Sequence, residues 1–320
     1  MSHPPPAHTY CNPVGGPLRM GDPFVFRADG RYVLVGTTDP AEGFRCFTSD
    51  DLADWRESGF ALRADPYGWG APPFWAPEVL PYANRYYMTY SARDRVSGRL
   101  LPALAVSEDP CGPYRDLRAP WFDPGHGAID AHVFIDDDGT PYVYYSRNGG
   151  ADGCSFGMLY GAPLTRDLLR LAAEPVLLAE ASQEWELIDA GRNRCNEGPC
   201  VLREGALYHL IYSANHTFRP GYGIGHAVAK HPLGPWRKSP SNPIAGTDLS
   251  VGYSGAGHAC VTVSPDGSER FLVYHTHEDP SHPENERRTV NIDRLQIEGD
   301  RLWVVGPTRS PQPLPSGSPA

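Results

Sequence analysis

Short runs of apolar and aromatic residues recur along the chain, and each is broken by a turn rich in Gly, Asn, Asp or Pro. The clearest run is Ile129-Asp130-Ala131-His132-Val133-Phe134-Ile135. It is followed by the turn Asp136-Asp137-Asp138-Gly139 and the returning strand Tyr142-Val143-Tyr144-Tyr145. Four looser copies flank it. They pair Asp22–Phe26 with Arg31–Gly36, Glu78–Leu80 with Arg85–Ser91, Glu197–Leu202 with Leu207–Ser213, and His258–Val263 with Phe271–His275. Further strands are expected around Arg45–Phe47, Ala103–Ser107, Gly225–Ala229 and Arg288–Leu295. Strands of this length joined by Asp-Gly and Asn-type turns make a meander. No long stretch keeps a 3.6-residue apolar period, so helices are expected to be minor.

The unit starts at 22, 78, 130, 197 and 258 are spaced by 56, 52, 67 and 61 residues. That spacing lies close to the roughly 40–50-residue period of propeller blades, with longer loops allowed. The expectation is an all-β chain forming one domain over 1–320, a five-bladed β-propeller. Two packed β domains are the alternative, but the repeats run through the middle of the chain without a linker.

Composition agrees with this reading. There are 34 Gly, 34 Pro and 17 Tyr among 320 residues, a profile of many short strands and turns. A formal net charge of −10 and the lack of a Lys/Arg-rich stretch argue against a nucleic-acid partner. No run of 18 apolar residues suggests a membrane span, and Met1–Pro6 shows no signal-peptide pattern, so a cytoplasmic location is expected. The seven cysteines are scattered without close CxxC pairs and read as free thiols rather than a zinc cluster.

In a propeller the leading strand of each blade lines the central channel, so residues at equivalent heads converge near the axis. The heads read here are Asp22, Glu78, Asp130, Glu197 and His258. Four carboxylates and a histidine are a poor choice for packing alone, because acidic residues have low strand propensity and like charges repel. Such a cluster points to catalysis or cation binding.

The ordered segments Gly21-Asp22-Pro23, Phe74-Trp75-Ala76-Pro77-Glu78, Ile129-Asp130, Asn196-Glu197-Gly198-Pro199, Gly257-His258 and Arg288 together resemble glycoside hydrolase family 43 over about residues 12–305. The resemblance implies a five-bladed propeller that cleaves arabinose or xylose linkages with inversion. It implies Asp22 as general base, Glu197 as general acid, and Asp130 as the residue that orients the acid and raises its pKa. It further implies substrate contacts from Trp75, Phe74, Arg288 and His258, with Glu78 structural. No cofactor is required. A structural calcium near His258 is the one metal the resemblance brings in.

The base motif is Gly-Asp-Pro rather than the His-Asp-Pro of some arabinan-cleaving relatives. The stretch His275-Thr276-His277-Glu278-Asp279 through Arg287 reads as a solvated loop rather than a metal or subsite loop. The expected substrate is an arabinose- or xylose-containing oligosaccharide, cleaved by an exo-acting α-L-arabinofuranosidase or, on the same scaffold, a β-xylosidase. A non-catalytic carbohydrate-binding propeller is the competing class, since it would not need the three carboxylates.

Overall fold

A computed structural model describes residues 8–16, 18–151 and 154–319. These residues form an all-β propeller in which only three short 3-10 turns interrupt strands and loops. The first sheet comprises Gly21–Ala28, Arg31–Thr37, Gly43–Ser49 and Arg56–Arg63. The second comprises Gly70–Tyr82, Arg85–Asp94, Leu100–Ser107 and Arg115–Arg118. Two antiparallel meanders follow, one from Gly127 to Glu180 and one from Asn193 to Lys238. They are joined into one eight-stranded sheet because Ser155–Gly157 pairs in parallel with Asn193–Cys195. The last sheet comprises Gly257–Val263, Arg270–His277, Arg288–Glu298 and Arg301–Val305.

Turn chemistry sets these hairpins. At Asp29-Gly30 both residues have positive φ, 51° and 80°, which is the type I′ geometry that matches strand twist. Ala83-Asn84 repeats it at 49° and 60°. Inner strands are covered on both faces, which is why they read as continuous apolar runs: all seven residues of Gly223–Ala229 are buried.

The core lies between neighbouring sheets. Val25 and Leu34 of the first sheet pack with Phe271, Val273 and Ile292 of the last. Val35 and Phe44 pack with Val79, Met88 and Tyr90 of the second. The segment before the first sheet is stitched onto the last one and onto the residues that follow it. Thr9–Tyr10 pairs with Gln312–Pro313, Val14 donates to the Val290 carbonyl at 2.9 Å, and the Asn12 side chain bonds both backbone groups of Ile292. No helix of the described residues is long and apolar enough to cross a membrane.

Candidate active site

Five leading strands carry the same irregularity. In each, two residues oppose one on the partner strand, between Gly21 and Phe24, Trp75 and Glu78, Ile129 and His132, Glu197 and Cys200, and Gly257 and Cys260. The first residue of each bulge has positive φ: Asp22 52°, Ala76 48°, Asp130 57°, Gly198 57° and His258 46°. Bulges of this kind re-aim side chains and concentrate beside functional sites. Left-handed backbone at Asp22, Ala76, Asp130 and His258 costs conformational energy that the surrounding structure must offset.

That support is a closed ring of hydrogen bonds. The bulge N–H of each strand donates to a side chain of the preceding sheet or meander: Ala76 to Thr37 Oγ1 (2.9 Å), Asp130 to Ser91 Oγ (3.2 Å), Gly198 to Ser146 Oγ (3.2 Å), and His258 to Ser213 Oγ (2.7 Å). Asp22 closes the circle by donating to His275 Nδ1 at 3.0 Å. Each acceptor stands opposite the residue that precedes its own bulge.

The ring corrects the equivalence drawn from sequence. The matching heads are Asp22, Ala76, Asp130, Gly198 and His258, so Glu197 stands one residue earlier and Glu78 two residues deeper. A bulge inserts a residue without changing the apolar pattern, and spacing alone could not locate it. Glu78 bonds His132 Nδ1 at 2.7 Å in a buried pair between the second sheet and the next meander, a structural role.

Asp22, Asp130, Glu197, His258, Arg288 and Trp75 line one cavity of about 550 Å³. Phe74 does not reach it. Neighbouring strand residues point to opposite faces, and Phe74 is buried with its ring 6.2 Å from that of Tyr90, inside the core between the first two sheets.

The three carboxylates sit in contrasting environments. Asp22 Oδ1 accepts from Arg288 Nη1 at 2.6 Å, and Oδ2 accepts from Thr37 Oγ1 at 2.6 Å. Burial alone would push Asp22 up, but Arg288, His258 and the Thr37 hydroxyl together hold it well below the usual carboxylate range. Asp130 Oδ2 accepts from the Gly198 N–H at 3.1 Å and from Ser146 Oγ at 3.3 Å. Its burial, with repulsion from Glu197 and Asp22, raises it to about 7 against the pull of His258. Glu197 is half-buried; its Oε1 accepts from Tyr222 O–H at 2.8 Å and its Oε2 from the Cys195 thiol at 3.2 Å.

His258 stands among them, its Nδ1 3.4 Å from Asp22 Oδ1. Burial works against its charge, yet Asp22, Asp130, Glu78 and Glu197 hold it above the ordinary histidine range. Calcium takes six to eight oxygen ligands. His258 offers nitrogen and faces Asp22, and among the described residues no group of three or more His, Cys, Asp or Glu is arranged to hold a metal ion. The residues present do not fit a calcium cage, and no step below passes through one.

The stretch from His275 is not wholly a solvated loop. His275, Thr276 and His277 are fully buried at the end of the strand Arg270–His277, and only the residues after them form a loop. Burial and the nearby Arg288 cation keep His275 neutral, far below the ordinary histidine range. Its ring stacks on Tyr222 at 5.7 Å between centroids, so one aromatic pair links the surroundings of Asp22 to those of Glu197. Tyr222, Cys195, Thr37, His275 and Phe218, whose ring lies 5.7 Å from the Arg288 guanidinium carbon, belong to the site and escaped sequence reasoning. The three serine hydroxyls of the ring offered a faint signal, since each recurs near the end of a second strand.

The family model for glycosyl hydrolases family 43 matches residues 10–302. A solved structure described as a thermostable family-43 glycoside hydrolase is 49% identical, with a TM-score of 0.92 over 97% of this chain and 100% of that one. A β-D-galactofuranosidase of Aspergillus niger is 28% identical over 72% of this chain and 65% of its own length. An extracellular exo-α-(1→5)-L-arabinofuranosidase of Streptomyces avermitilis is 26% identical over 84% of this chain and 56% of its own length. The chain thus spans somewhat more than half the length of these two curated relatives.

Proposed function

The chain belongs to glycosyl hydrolases family 43, and from that premise we propose that it is an inverting, exo-acting α-L-arabinofuranosidase on arabinan or arabinoxylan oligosaccharides. We read the chain as one catalytic domain of five blades, the eight-stranded sheet counting as two blades welded by the parallel pairing near Asn193.

The observation that carries the reading is the contrast between Asp22 and the Asp130–Glu197 pair within one cavity. Inversion needs a carboxylate to take a proton from water and a carboxylic acid to protonate the leaving oxygen. The two groups are then roughly 6.5–9.5 Å apart. Asp22, held ionised by Arg288, suits the first task. Glu197 suits the second: it lines the cavity beside the buried carboxyl of Asp130, and the Tyr222 hydroxyl and the Cys195 thiol fix its two oxygens. The leading strands of Glu197 and Asp22 both pack against the strand of His258, so the two groups act from separate walls. Asp130 orients Glu197 through Gly198, whose N–H it accepts, and does not itself donate the proton. Trp75 and Arg288 contact the sugar.

The cavity volume lies within the range of small-ligand pockets, which favours a short terminal residue over a long chain. The arabinofuranosidase named among the relatives supports the choice of sugar. Hydrolysis of p-nitrophenyl α-L-arabinofuranoside, β-D-galactofuranoside and β-D-xyloside tests it. Preference for the arabinofuranoside, with the inverted anomer detected first by NMR, is the expected result. Preference for the xyloside would move the assignment to a β-xylosidase with the same proton transfers. Inactive Asp22→Ala and Glu197→Ala variants that still bind sugar would separate an enzyme from a carbohydrate-binding propeller, in which both would leave function intact.

A further inference from the structure

Cys46 is buried on the third strand of the first sheet, and Cys111 is half-buried in the loop after the third strand of the second sheet. Their sulfurs are 2.6 Å apart. A covalent S–S bond is about 2.05 Å long, so the pair stands about half an ångström from bonding distance. No other two cysteine sulfurs among the described residues are in such contact.

The approach is built by backbone and not by the thiols. Tyr114 N–H donates to the Ala61 carbonyl at 2.7 Å, pinning the loop against the first sheet. Gly112, at φ +90°, passes so close that a Cβ there would lie 2.3 Å from the same carbonyl oxygen. The turn itself is held by Cys111 N–H donating to Asp109 Oδ1 at 2.8 Å and Gly112 N–H donating to the Asp109 carbonyl at 3.0 Å. Each sheet therefore presents its sulfur from a fixed position.

We propose that Cys46 and Cys111 are an oxidisable pair that closes into a disulfide between the first two sheets. With a small disulfide such as oxidised glutathione as oxidant, the more accessible Cys111, as thiolate, attacks one sulfur and expels a glutathione thiolate. Cys46 then gives up its proton and attacks the Cys111 sulfur of the mixed disulfide, expelling the second thiolate. The protein dithiol loses two electrons and two protons, and one disulfide is reduced to two thiols. The shared hydrogen bond lowers Cys111 and raises Cys46, which fits Cys111 as the attacking group. Closing a loop that runs from the first sheet through the whole leading hairpin of the second restricts the unfolded chain.

The folded protein is incubated with oxidised glutathione or with dithiothreitol, alkylated, digested and read by mass spectrometry. The expected product is a linked peptide pair containing Cys46 and Cys111, about 2 Da lighter than the two reduced peptides together. A melting temperature raised by a few degrees, reversed by dithiothreitol, is expected alongside it. Cys111→Ser should abolish the linked pair and make melting insensitive to both reagents. Recovery of the two cysteines as separately alkylated or separately glutathionylated peptides after oxidation would overturn the proposal. So would a Cys111→Ser variant that keeps the full redox response.

Discussion

A Cβ placed on Gly21 would lie 1.9 Å from the guanidinium carbon of Arg288. The residue before the proposed base therefore has no side chain because the partner of that base fills its space. The Gly-Asp-Pro motif and the late Arg288 are one choice, made 267 positions apart in the chain. Gly21→Ala should push Arg288 off Asp22 and lower kcat/KM by about 10²-fold, the scale of a small misplacement at a reacting centre. Steady-state kinetics with the preferred p-nitrophenyl glycoside reads this directly, and near-parental rates would show that Arg288 does not need its present seat.

Arg288→Ala tests the same pair through pH. Asp22 stays ionised because Arg288, His258 and Thr37 outweigh burial. Without the guanidinium, burial gains and the carboxyl titrates higher. The acidic limb of the kcat/KM profile should then move to higher pH. Stability contributed by the depressed carboxyl, present above its unfolded value and lost as pH falls through the folded one, should fade at a higher pH than in the parent.

Asp130→Asn removes the buried carboxyl that is raised to about 7 and alters the acceptor of the Gly198 N–H beside Glu197. The alkaline limb of the kcat/KM profile should move, and an unchanged limb would remove the orienting role. Stability offers a second reading. Between about 4 and 7 the folded protein holds a proton on Asp130 that the unfolded chain has released, so stability falls as pH rises through that window. Asp130→Asn should flatten the slope in chemical denaturation.

Tyr222→Phe tests how firmly the proposed acid is seated. The Tyr222 hydroxyl donates to Glu197 Oε1 at 2.8 Å. Its loss frees that oxygen, and kcat should fall by about 10-fold or more while the protein stays folded. Parental kcat would show that Glu197 does not need this bond.

Ser91→Ala tests the ring of hydrogen bonds. It leaves the Asp130 N–H buried without its acceptor, at a cost of about 1–3 kcal/mol. Thermal unfolding should show the loss, and Ser91→Thr should recover part of it.

Much of the site was legible from spacing because the repeats are true repeats. Asp22 and Asp130 were aligned correctly, since both head a bulge, and the turns at Asp29-Gly30 and Gly139 punctuate the hairpins as their residues require. Glu197 and Glu78 were set one and two residues out of line because a bulge leaves no mark on an apolar pattern. Phe74 was misassigned because its neighbour Trp75 does line the cavity and alternation separates the two. His275 reaches Asp22 from another sheet and Tyr222 reaches Glu197 from 25 residues away, and nothing in their local sequence announces those partners. Cys195 sits two residues before Glu197, but a lone cysteine there gives no sign of the bond.

The ring closes from His275 to Asp22, which gives synthesis a direction. A ribosome-bound chain that has emerged through Gly223–Ala229 already carries Asp130, Glu197 and the tyrosine that grips the acid. It has no seat yet for the backbone of Asp22, and no Arg288 to hold its carboxylate. The first acidic residue to be made is thus the last to be put in place, and a chain stopped short of Arg288 would own every proposed proton-transfer group without being able to use them together.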